Sequence, residues 1–344
     1  MELNFLSPKI KNKKVLLRTD FNVPIKKNQI LDKTRIIESL PTIKFLLKNN
    51  NFLIIISHLG RPKGKWLNNL SLYPIAKYLG KLLTKKNNLK IKKNYLDNFL
   101  FYKINNSVCL LENIRFYSGE EKNSLKFARQ LSKLGDVFIN DAFSICHRAH
   151  ASTFGITKFL PSYGGLLLKK EIDSLEKVLK NPRRPLVCII GGAKIETKLP
   201  LIKKLVYIAD YLLLGGKIAF ENVNIQSKKI YFPLDKINDP NNLVKDIGER
   251  TIKLYSELIK KAKTIFWNGP MGVFEDKKFE QGTKKIAEAV ANSQAFTIIG
   301  GGETILAIKK YKLSKKVSFI STGGGATLEY LAGEKMPGLE ALKK

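Results

Sequence analysis

Of the 61 basic residues only nine are arginines. Five of them, Arg18, Arg35, Arg61, Arg115 and Arg148, lie at or just beyond strand-like runs in the first 150 residues. A planar guanidinium grips a carboxylate or phosphate through two parallel hydrogen bonds, which a lysine cannot copy. The same stretch holds all three histidines, His58, His147 and His150. The second half offers glycine-rich turns instead: GGAK at 191–194, GGK at 215–217, NGP at 268–270, GGGET at 300–304 and STGGG at 321–325. Backbone amides in such turns can meet phosphate oxygens, and helix N-termini add partial positive charge. A single glycine pair serves equally well for tight strand-to-helix packing. Five together point to a nucleotide-binding half facing an anionic-substrate half.

Several familiar chemistries are missing. Residues 191–198, GGAKIETK, lack the second glycine of a P-loop, and no strand runs into G-x-G-x-x-G. His147-Arg148 is followed by Ala149, so the protein-kinase catalytic loop is absent. His147 and His150 could suggest a metal pair, but two ligands lack a third, and hydrogen-bonding roles fit them better. Cys109, Cys146 and Cys188 are too few and too scattered for a disulfide framework or a zinc site, and read as core residues of a reducing compartment.

The elements that must position these groups follow from periodicity. Val15–Leu17, Phe52–Ile56, Val108–Leu111 and Val137–Ile139 read as strands, each followed by a polar or glycine-bearing turn. Amphipathic stretches such as 35–48 and 124–134 read as the helices between them. In the second half, 186–190, 211–214, 264–267, 296–299 and 317–320 each deliver a carboxyl end to one of the glycine turns. In open α/β sheets ligands sit off those ends. The fold predicted is α/β, with two doubly wound, Rossmann-like parallel-sheet lobes facing across a cleft. Residues 165–182 read as an interlobe helix ended by Pro182 and Pro185. The first lobe takes 1–164 with the tail 328–344, and the second takes 183–327.

Composition bounds the rest. A chain of 344 residues with 44% apolar and 26% charged residues is globular and large enough for two cores. Apolar runs are too short for a membrane span, and the start MELNFLSPKI has neither the basic opening nor the apolar stretch of a secretory peptide. A cytoplasmic protein without membrane contact is expected. The net charge of +32 is the usual footprint of a nucleic-acid binder. Here the lysines are scattered singly or in twos and threes, with no basic-aromatic stripe, so solvated lysine faces are expected and no specific nucleic acid.

Taken in order, the motifs resemble the phosphoglycerate kinase family. They are RTDFNVP at 18–24, TRI at 34–36, SHLGRP at 57–62, LLENIRF at 110–116, NDAFSICHRAHAST at 140–153, GGAKIETKL at 191–199, WNGPMGVFE at 267–275, GGGET at 300–304 and STGGGATLEYLAGEKMPGLEAL at 321–342. The resemblance implies reversible phosphoryl transfer between ATP and 3-phosphoglycerate, giving ADP and 1,3-bisphosphoglycerate, with Mg2+, in a monomer. By that likeness Asp20, Phe21, Asn22, His58, Leu59, Gly60, Arg61, Arg115, His147 and Arg148 would bind the substrate. Arg35 would sit at the carboxylate and the transferring group, and Lys194 and Lys198, on one face of a helix opened by Gly191 and Gly192, would follow that group. The nucleotide would meet Gly191, Gly192, Lys198, Gly215, Gly216, Asn268 and Pro270, with Glu275 at its ribose and Gly301, Gly302, Glu303 and Thr304 around its phosphates. Amides of Gly323, Gly324 and Gly325 would serve the transition state, and Glu303 the metal.

A carboxylate nucleophile is already ionised at neutral pH, so no general base is needed. Catalysis must come from holding two polyanions in line and neutralising developing charge. Hinge closure between the lobes would complete the site and exclude water. Three departures from the family stand out: Glu303 replaces an aspartate, the 217–232 segment is shorter by several tens of residues, and Ser144-Ile145-Cys146 replaces smaller residues. A non-catalytic nucleotide or nucleic-acid binder, or a kinase for another carboxylate, would keep the fold. The joint presence of substrate arginines and motif lysines disfavours the first, and the complete substrate motifs disfavour the second.

Overall fold

Strands buried along their whole length need cover on both faces, and two sheets of this kind form. The structure, a computed structural model, describes residues 3–86, 91–96, 98–221 and 225–343. The chain divides into two compact units, Met1–Lys170 with Lys335–Lys344, and Glu171–Glu334.

The first unit carries a seven-stranded sheet in the order Lys92–Leu96, Phe99–Lys103, Val108–Leu111, Phe52–Ile56, Lys14–Arg18, Val137–Asn140, Ser162–Gly164. The central pairings are parallel, with Leu17 opposite Ile55 on one side and Ile139 on the other. The sheet is not purely parallel as expected. Lys92–Leu96 and Phe99–Lys103 form an antiparallel hairpin at one edge. Lys92, Lys93 and Tyr95 on that edge strand are exposed, so it lacks the apolar run that marks an inner strand.

The predicted helix over 35–48 is two helices, Thr34–Glu38 and Leu40–Lys48. Pro41 has no N–H to give and its ring clashes with the carbonyl four residues back, so the chain restarts at Ser39. Leu125–Ser132 begins at Ser124, whose hydroxyl accepts from Phe127 N. Leu166–Leu179 is started by Asp141, whose Oδ1 accepts from Leu167 N at 2.9 Å and Leu168 N at 3.1 Å. The division between the units falls inside this helix.

The second unit is built on six strands, all parallel: Ile230–Tyr231, Tyr211–Leu214, Leu186–Ile190, Thr264–Asn268, Phe296–Gly300, Phe319–Ile320. The last strand starts two residues later than predicted. Ser318 and Thr297 exchange side-chain hydrogen bonds with each other's amides there, which replaces the ladder. A small antiparallel pair, Lys236–Asn238 with Val244–Ile247, gave no sequence signal. Trp267 is fully buried among Val187, Ile189, Ile265 and Ile299, and its indole N–H donates to Gly269 O at 2.7 Å. Cys109, Cys146 and Cys188 are buried free thiols.

Glu171 is fully buried and its carboxylate accepts from Ser321 Oγ, Thr322 N and Thr322 Oγ1 at 2.7–2.8 Å. It thereby fixes the loop that leads into Gly323–Gly325. Glu171→Ala removes the acceptor of one buried and two half-buried donors and is expected to lower stability by about 1–3 kcal/mol in urea unfolding.

Candidate active site

The first unit gathers polar groups beyond the carboxyl ends of Lys14–Arg18 and Phe52–Ile56. Asp20 is nearly buried, and one carboxylate oxygen receives both Arg35 Nη1 and Ser144 Oγ. The other accepts from Asn22 N at 2.9 Å. Asn22 in turn accepts from Gly60 N at 2.9 Å, and Arg115 Nη1 donates to Gly60 O at 2.7 Å. Asn113 ties down the same loop, accepting from Leu59 N at 3.2 Å and donating to Leu59 O at 2.7 Å. Asp20, Asn22, Arg35, His58, Gly60 and Arg115 are therefore brought together, whereas Phe21 and Leu59 turn their side chains into the core. Arg61 and Arg148 reach into solvent, and Arg148 Nε donates to His147 Nε2 at 3.0 Å.

The histidines are held neutral. Burial, followed by the positive charges of Arg18, Arg115 and Arg35, pushes His58 well below the ordinary imidazole range. Burial with Arg148 nearby takes His147 down to about 4, and burial with Arg115 takes His150 down to about 3.

The second unit holds a cavity of about 260 Å³, lined in part by Gly192, Gly216, Pro270, Glu275 and Glu303. Lys217, Val244, Lys245 and Asp246 also line it. Lys217 closes the GGK turn, whereas sequence reasoning missed the other three, because Val244–Ile247 has no strand-like run before it and lies beyond the shortened segment. Asp246 could have been sought as the only acid of that strand. Its carboxylate accepts from Gly282 N and Ile247 N, and burial raises it to about 6.

Behind the cavity the turns knit together. Gly191 N donates to Asn268 O, Gly192 N to Pro270 O and Gly216 N to Met271 O, at 2.8–2.9 Å, and Gly215 N donates to Ile190 O. Thr304 Oγ1 accepts from Gly269 N at 2.6 Å. Asn268 Nδ2 is buried without a hydrogen-bond partner, beside Gly301 at the start of the Gly302–Lys310 helix. A buried, unused donor at a helix N-terminus suits an anion. Gly324 and Gly325, following Gly323 at the start of Gly325–Ala332, have open space around them.

Lys194 and Lys198 do not share a helix face, contrary to expectation. The helix begins only at Leu199, with Pro200 in its first turn, and both lysines lie in the preceding turn. Lys194 is exposed. Lys198 is buried, and its amine donates to Gly191 O. Gly192 and Gly269 both have positive φ, +97° and +95°, and a Cβ at either would lie 2.8 or 2.4 Å from that amine. Glycine there makes room for the lysine. Burial lowers Lys198 to about 8, with Glu303 opposing the shift. No group of three metal-ligating side chains occurs among the described residues.

A family model described as phosphoglycerate kinase matches residues 6–231 and 221–334. The phosphoglycerate kinase of Borrelia garinii subsp. bavariensis is 42% identical, over 96% of each chain. A solved phosphoglycerate kinase from Coxiella burnetii superposes with a TM-score of 0.84 at 34% identity, covering 97% of this chain and 96% of that one. One from Pyrococcus horikoshii OT3 gives 0.82 at 30% identity, over 96% of each. Fold and site together define a kinase of the two-unit α/β class. The chain belongs to the phosphoglycerate kinase family. The Borrelia alignment runs over 380 positions against 344 residues here, so that relative carries residues this chain lacks. The two stretches matched by the family model overlap at 221–231, inside the segment read as shortened, of which 222–224 lie outside the described residues.

A lysine amine neutralises phosphate only while protonated, so a phosphate role for Lys198 has a pH signature. kcat/KM for ATP is expected to fall as pH rises through about 8, the value of the free enzyme. A pH–rate profile flat from 7 to about 9.5 would refute that assignment.

Proposed function

We propose that the protein transfers the terminal phosphoryl group of ATP reversibly to the carboxylate of 3-phosphoglycerate, giving ADP and 1,3-bisphosphoglycerate, as a step of glycolysis. Membership of the family supports the reaction. The joint presence of the Asp20–Arg35–Arg115 cluster in one unit and, in the other, a glycine-lined cavity with Lys198 packed against Gly192 supports the chemistry, since each half holds the charge one substrate needs. His58, Arg61, Arg115 and Arg148 would hold the substrate's phosphate, Arg35 its carboxylate, and Lys194 and Lys198 the transferring group. Gly301–Thr304 and Asn268 would take the nucleotide phosphates, and Glu275 the ribose.

The donor set fits magnesium as a nucleotide-borne ion. Mg2+ commonly uses one or two carboxylates with substrate phosphates, and of the three carboxylates that line the cavity, Asp246, Glu275 and Glu303, Glu303 is the one whose charge acts on Lys198. When bound, it would screen the charge of the nucleotide phosphates. The enzyme would act as a cytoplasmic monomer, with no membrane or nucleic-acid partner. No helix among the described residues is long and apolar enough to cross a membrane.

Transfer needs both substrates in one water-poor site, so hinge closure is part of the proposal. Small-angle scattering should show compaction with both substrates present, and none would refute closure. Steady-state ADP formation from MgATP and 3-phosphoglycerate tests the reaction. Arg35→Ala and Lys198→Ala should each lower kcat by about 100-fold or more. Wild-type activity no higher than theirs at any ATP concentration would leave a binding protein on a kinase fold.

A further inference from the structure

Arg18 has no exposed surface, and the proposed reaction does not use it directly. Its Nε donates to Ser152 Oγ at 2.8 Å and its Nη1 to Thr19 O. Its Nη2 lies 3.3 Å from His58 Nδ1 and 4.0 Å from Glu120 Oε1. Glu120 is fully buried too, and it accepts from Ser152 Oγ at 2.6 Å and Ser152 N at 2.9 Å.

The direction of every proton in this chain of groups is forced. A carboxylate only accepts and a guanidinium only donates. The single hydroxyl proton of Ser152 therefore goes to Glu120, and its lone pair faces Arg18. By the same rule Arg18 Nη2 has nothing to accept with, so His58 Nδ1 must be the acceptor and carries no proton. A neutral ring then bears its proton on Nε2. Asp20 Oδ1, 4.0 Å from the same Nδ1, is too far to claim a proton from it.

We propose that Arg18 is a positioning residue for substrate binding: anchored by Glu120 and Ser152, it holds His58 as the Nε2–H tautomer, so that the ring presents one fixed donor to the anionic substrate. This rests on the reading of His58 as a substrate contact. The environment agrees, because burial and three arginines keep His58 neutral, while Arg18, lowered only to about 10, stays charged at pH 7. Positive charge at this edge then comes from the arginines, and the histidine supplies direction. Without Arg18 nothing holds the proton off Nδ1, and in the Nδ1–H form Nε2 would turn a lone pair towards an anion.

The test is long-range 1H–15N NMR of protein carrying ring-15N histidine. Only three histidines are present, so His147→Gln and His150→Gln proteins identify the His58 signals. The expected wild-type spectrum has a pyridine-like Nδ1 and a protonated Nε2, unchanged between pH 6 and 8. In Arg18→Lys, whose single ammonium cannot serve all four partners, the spectrum should move towards Nδ1–H. KM for 3-phosphoglycerate should rise about tenfold, with KM for ATP and kcat little changed. A wild-type His58 protonated on Nδ1 or on both nitrogens overturns the proposal. So does an unshifted tautomer in Arg18→Lys. Should Arg18→Lys fail to fold, Arg18→Gln/Glu120→Gln removes both buried charges together, and the wild-type spectrum decides even alone. The predicted tautomer in the wild type, combined with normal KM and kcat in His58→Gln, is separable: it refutes the substrate role of His58, and with it the proposal, and leaves the Arg18–His58 hydrogen bond standing.

Discussion

Parallel pairing governs how both units present chemistry. Once Lys14–Arg18 pairs in parallel with Phe52–Ile56 and Val137–Asn140, the loops 18–24, 57–62 and 140–153 leave the sheet at the same edge. The same holds in the second unit, where Leu186–Ile190, Tyr211–Leu214, Thr264–Asn268 and Phe296–Gly300 all deliver glycine turns in one direction. Antiparallel strands would have sent alternate loops to opposite edges. Segments more than a hundred residues apart in sequence therefore meet, as Ser144 does with Asp20.

The charges at these edges differ in kind from the surface charge. Most lysines are solvated, and each contributes little to structure. Arg18, Arg115 and Lys198 are buried, and burial lowers the pKa of each. A buried cation keeps its charge only where it is answered. Glu120 answers Arg18, Glu121 lies 3.3 Å from Arg115 Nε, and Glu303 opposes the shift of Lys198. Desolvation is costly to the fold but useful at a site, since an anion entering a water-poor pocket meets undiminished positive charge.

Much of this was legible in the sequence because strands with runs such as Leu186–Ile190 can only be buried, and because glycine turns follow them. The residues that Asp20, Arg35 and Arg115 stand for were legible from their motifs. The role of Arg18 was not, since an arginine in RTDFNVP carries no mark of whether it faces substrate or the interior; only Ser152 and Glu120, 134 and 102 residues away, decide that. The helix break at Ser39 is signalled by Pro41. The late start of the helix at Leu199 was similarly signalled by Pro200. The edge hairpin 92–103 and the Val244–Ile247 strand were hidden by exposed, mixed sequence that only tertiary pairing turns into sheet.

Residues 335–344 belong to the first unit, although the whole second unit precedes them in the chain. Leu3 bridges Lys343, Asn4 N donates to Leu342 O at 2.9 Å, and Gly338 N donates to Cys146 O at 2.8 Å, against the very loop that carries His147 and Arg148. A ribosome makes these residues only after the whole second unit. The first unit can thus collapse early in synthesis but stays unfinished, with its opening residues unpaired and its 140–153 loop unbacked, until the second unit has been made. Translation order makes the 140–153 edge of the first unit wait on the second, and a nascent chain that stops before residue 335 would carry a complete second unit with an incomplete first one.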